Sequence, residues 1–91
     1  MNPYENGYDI AYYLGVVLNN TDRYKKVTSC RFERRAVGAE RPERINVWIR
    51  DKYSSMTPAV TVDVTGLDGW ASVEKVLAAI NEYMEEHDVS T

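Results

Sequence analysis

Arg44-Ile45-Asn46-Val47-Trp48-Ile49-Arg50 alternates without a break. Ile45, Val47 and Ile49 point one way, and Arg44, Asn46, Trp48 and Arg50 the other. A period of two with one apolar side is the pattern of a strand that covers a core on one face and meets water on the other. The neighbouring stretches repeat it. Residues 24–37 alternate with Thr28, Cys30 and Phe32 on one side and Lys25, Ser29, Arg31, Glu33 and Arg35 on the other. Residues 59–65 place Val60, Val62 and Val64 against Thr61, Asp63 and Thr65. Gly38 to Glu43, with Pro42, reads as the hairpin loop between the first two strands. Ser54 to Pro58 reads as the link to the third. Three antiparallel strands with one apolar face need a cover.

Helical patterns on either side of the strands supply that cover. Asn2-Pro3-x-Glu5 opens a helix over 3–19, with Asn2 as cap, Pro3 in the first turn and Glu5 where a capping-box carboxylate belongs. Ile10, Tyr13, Leu14, Val17 and Leu18 share one arc of it, and Asn19-Asn20 is a suitable end. After Gly66, Asp68 caps a second helix over 70–87, whose apolar arc reads Trp70, Val73, Leu77, Ile80 and Met84, with Val76 at the border. The expectation is one α+β domain over residues 1–91 in the order α-β-β-β-α, with both helices on one face of the sheet.

The composition fits this reading. Of 91 residues, 44% are hydrophobic and 27% charged, within the ordinary globular range. Cys30 is the only cysteine, so an internal disulfide is excluded and a reducing, cytoplasmic setting is expected. Ile10 to Leu18 is too short an apolar stretch to span a bilayer, so no membrane role is expected. The net charge of −3 conceals a division. Residues 23–52 hold ten Lys and Arg against four acids, a local +6, whereas residues 53–91 hold one lysine against seven acids, a local −6. Such asymmetry points to charged partners.

The element order resembles that of double-stranded-RNA-binding domains. The family's lysine cluster at the start of the second helix is missing, since Asp68-Gly69-Trp70-Ala71-Ser72-Val73-Glu74-Lys75 offers one lysine. The loop Gly38-Ala39-Glu40-Arg41-Pro42-Glu43 also lacks the family's histidine. The resemblance is to topology alone, and an acidic helix repels phosphate.

Catalytic chemistry finds little to work with. His87, the sole histidine, falls in the last helical turn, where it complements the helix dipole, and Cys30 falls on the inward side of the first strand. Glu85, Glu86, His87 and Asp88 are consecutive and splay around a helix, so no metal or cofactor is expected. Thr65-Gly66-Leu67-Asp68-Gly69 joins strand to helix but carries neither a Walker lysine nor a dinucleotide fingerprint.

What remains is surface. Arg31, Arg35, Arg44 and Arg50 gather with Trp48 on the wet side of the strands, and Tyr8 and Tyr12 form a strip on the first helix. Tyrosine, tryptophan and arginine are the residues that dominate binding hot spots. The leading expectation is a small non-enzymatic module, adaptor or inhibitor in type and of the size phages and mobile elements use. It would contact another protein or a second copy of itself through Tyr8, Tyr12, Arg31, Arg35, Arg44, Trp48 and Arg50. Two alternatives are a nucleic-acid surface on the basic hairpin and an acidic DNA mimic on the second helix.

Overall fold

The computed structural model describes residues 7–34, 43–50 and 56–87, apart from the side chains of residues 7 and 8. The element order is α1 (Gly7–Asn19), a 3-10 turn (Asp22–Tyr24), β1 (Val27–Arg34), β2 (Glu43–Ile49), β3 (Val60–Asp63) and α2 (Gly69–Glu86). The three strands form one antiparallel sheet in the order β1-β2-β3, so the alternating β2 segment is its centre. This is an α+β domain with its helices against the sheet. The helix start at Asn2-Pro3, the hairpin loop and residues 51–55 lie outside the described residues.

One apolar cluster joins the layers. Val27, Ile45, Val47, Ile49, Val62 and Val64 from the sheet side meet Ile10, Leu14 and Leu18 of α1 and Val76, Ile80 and Met84 of α2. Burying side chains of this size contributes about 1.5–3 kcal/mol each before the entropy of ordering them is subtracted. The β2 alternation is seen as expected, with Ile45, Val47 and Ile49 buried.

Four details depart from the sequence expectation. The first strand starts at Val27 because residues 22–24 close a 3-10 turn, pinned to α2 where Arg23 and Tyr24 both donate to Asn81 Oδ1. Thr28 does not share the inward side with Cys30 and Phe32. The pairing shifts by one between Val27/Ile49 and Ser29/Trp48, and this bulge buries Val27 and turns Thr28 outward, where its hydroxyl donates to the Trp48 carbonyl at 3.2 Å. In α1 the buried arc is Ile10, Ala11, Leu14 and Leu18, while Tyr13 and Val17 are exposed. In α2 Val76 is fully buried and Trp70 is 60% exposed, the reverse of the expected order.

A helix settles on a sheet where its side chains are small enough to let it approach. Gly15 in α1 supplies such a point: a methyl group there would stand 3.6 Å from the Cys30 backbone nitrogen. Gly69 and Ser72 are the buried small residues of α2. Large rings are displaced to the rim. The junctions are firm. Asn19 Nδ2 donates to the Val27 carbonyl at 3.0 Å, tying the end of α1 to the start of β1. Asp68 accepts from the Ala71 amide at 2.8 Å as the α2 cap.

Candidate interaction surface

The wet face of the sheet is built by the β2 register. Arg44 stands opposite Glu33 on β1 and Asp63 on β3, Asn46 opposite Arg31 and Thr61, and Trp48 opposite Ser29. The Arg31 guanidinium lies over the Trp48 ring at 5.8 Å, a cation–π contact across the strands. Trp48 Nε1 donates to the Met56 carbonyl at 3.1 Å, which fixes the ring, and the Thr61 hydroxyl donates to Asn46 Oδ1 at 2.9 Å. At the end of β1 the Arg34–Glu43 ion pair closes at 2.6 Å. The Asp63 carboxyl is held below the usual carboxylate range, chiefly by hydrogen bonds from Thr65, with Lys75 and Arg44 adding attraction.

The expected contact residues therefore divide. Arg31 and Trp48 come together, and Arg44 shares their face between two acids. Arg50 follows β2, its backbone N–H donating to the Lys26 carbonyl. Arg35 and the Tyr8 side chain lie outside what the structure describes. Tyr12 is 75% exposed and sits apart from the arginines, on a cleft between α1 and β1. That cleft, about 340 Å³, runs between Tyr12, Gly15 and Val16 on the helix and Thr28, Ser29 and Cys30 on the strand.

Strand β1 separates the two groups of residues. Its side chains on the wet face lead to Arg31 and Trp48, and α1 on its other side presents Tyr12 and Val16. Sequence reasoning named residues on both flanks and missed the strand edge joining them. Gly15, a glycine in mid-helix, was the available signal of a close approach there.

The chemistry of the remaining groups is quiet. Burial pushes the Cys30 thiol up to about 12, so it stays protonated at neutral pH and is a poor nucleophile. His87 stacks on Tyr83 with ring centroids 4.1 Å apart. Among the described residues no cluster of His, Cys, Asp and Glu could hold a metal ion, and no helix is long and apolar enough to cross a membrane. No known family, curated protein or solved structure matches the chain.

Proposed function

We propose that this chain is a small non-enzymatic protein–protein interaction module that binds through β1 and its two flanks. The observation that carries the reading is that the exposed Tyr12 on one side and the Arg31–Trp48 pair on the other border the same strand. Aromatic rings and arginines around a backbone edge are what a protein partner uses, because hydrogen bonds of the edge add to side-chain contacts. A protonated, half-buried Cys30 and a ring-stacked His87 agree with a role other than catalysis.

Capture from cell extract, with and without nuclease, tests the reading, with assembly of the purified chain measured alongside. Capture or self-assembly that survives nuclease and falls at least about tenfold in Trp48→Ala is the expected result. Capture that disappears with nuclease, and an affinity that falls by about 0.9 log units per log unit of salt for each phosphate neutralised, would transfer the surface to nucleic acid. Capture lost only on neutralising Glu82, Glu85 and Glu86 would transfer it to the acidic face of α2.

A further inference from the structure

The wet face of the sheet changes in charge along β2. At one end Arg44 stands between Glu33 and Asp63, so acids on both neighbouring strands match its charge. One alternation on, Asn46 faces Arg31 and Thr61, and the next position holds Trp48 opposite Ser29. The ladder continues past β2. The Arg50 amide donates to the Lys26 carbonyl at 2.7 Å, and with Ile49 buried, alternation keeps Arg50 in phase with Trp48. Arg31 and Arg50 are both exposed, and among the described residues neither has a carboxylate partner. Two unmatched cations thus bracket one indole.

The ring between them is held in place. The Arg31 guanidinium lies over it at 5.8 Å, and its Nε1 donates to the Met56 carbonyl at 3.1 Å. An arginine resting on an aromatic face still has N–H groups to offer, and it has given up side-chain freedom before a ligand arrives. Met56, which accepts the indole bond, is 96% exposed and brings a flexible apolar side chain to the same end of the sheet.

Resting on the interaction-module reading, we propose that this end of the face takes an extended acidic segment of the partner protein, with carboxylates at i and i+4 and an apolar side chain at i+2. Spacing selects the pattern. Positions 46, 48 and 50 of the β2 ladder follow one another at about 7 Å, and alternate residues of an extended peptide repeat at the same interval on one side. A segment lying along β2 sets one carboxylate at Arg31, its apolar residue on Trp48 and Met56, and the second carboxylate at Arg50. The pattern is symmetric, so either chain direction fits. The surroundings favour carboxylates over a phosphate backbone. A base seeking the Trp48 ring meets the Arg31 guanidinium already there, and a run of phosphates continuing along β2 reaches Glu33 and Asp63.

Fluorescence anisotropy on the full chain tests the site with the labelled peptide fluorescein-Thr-Glu-Thr-Leu-Thr-Glu-Thr-amide. Thermal unfolding by circular dichroism checks that each variant is folded. The peptide is expected to bind at low ionic strength with a Kd below about 0.2 mM. Its isomer Thr-Thr-Glu-Leu-Glu-Thr-Thr puts both acids on the side of an extended chain opposite the leucine, and should bind at least about tenfold more weakly. Arg31→Ala and Arg50→Ala should each weaken binding about tenfold, whereas Arg44→Ala, whose charge is already matched, should change it less than about twofold. Arg31→Glu should abolish binding, and a peptide with one glutamate replaced by lysine should bind that variant better than it binds the wild type.

No binding at about 1 mM, or equal affinity for the two isomers, overturns the proposal. The module reading is then decided by the capture experiment, which does not use these peptides. Equal losses from Arg44→Ala and Arg31→Ala reduce the contact to net charge and overturn the site. A short oligothymidylate that binds more tightly than the peptide, and is released by Arg31→Ala, gives the patch to nucleic acid and overturns both readings.

Discussion

The two edges of this sheet are finished differently. β3 is four residues long, and Lys75 Nζ from α2 donates to its Asp63 carbonyl at 2.7 Å. By the alternation that sends Val62 toward β2, that carbonyl faces outward, so the lysine covers an edge acceptor. β1 is twice as long, and its visible irregularity is one bulge near its start. Short strands and lysines are the ordinary means of discouraging edge pairing. At β1 the devices differ: the bulge interrupts the start of the strand, and Asn19 of α1 donates to the Val27 carbonyl at 3.0 Å.

The largest effect should come from breaking what the edges share. Ile45 is fully buried in β2 between them, and Ile45→Ala is expected to cost about 3 kcal/mol in denaturant unfolding. Hydrogen exchange should show β1 and β3 losing protection together. Loss at β3 alone would mean that the edges belong to separate folding units and that the contrast has a local origin.

Much of this was readable from residue order. The run Arg44 to Arg50 alone identified a strand and its buried side, because an unbroken period of two leaves no freedom of phase. β1 was harder. A bulge changes the facing without changing residue types, so Thr28 looked inward and Val27 gave no sign of its full burial. On the helices, hydrophobicity placed Tyr13 and Trp70 in the core, whereas the approach of helix to sheet is set by Ala11, Gly15, Gly69 and Ser72, which such scales rank low. The candidate surface was legible by residue type, as in Arg31 with Trp48, but strand order, which makes β1 an edge beside Tyr12, is a property of the assembled sheet.

A smaller effect sharpens the contrast at the other edge. Lys75→Met keeps a helix-forming chain but removes the donor to Asp63, and should change stability by about 0.5 kcal/mol. Its informative consequence is association. Lys75→Met is expected to raise self-association measured by light scattering. No rise would show that strand length, and not the lysine, guards β3.

The smallest effect concerns acid. The Asp63 carboxyl has a lowered pKa through Thr65, Lys75 and Arg44, so its contribution is complete above the unfolded value of about 4. It is lost as pH falls through the lower folded value. Asp63→Asn should therefore lower stability slightly at neutral pH and flatten the acid limb, so that variant and wild type converge at low pH, measured by thermal unfolding across pH 2–7. An unchanged limb would separate the carboxylate from the lysine-covered carbonyl of the same residue.

The contact between Lys75 and Asp63 also bears on how large an assembly can grow. Unpaired backbone acceptors at a sheet edge are templates on which copies can add without limit and become a fibre. The Lys75 ammonium group occupies one such acceptor of β3 and so works against growth at that side.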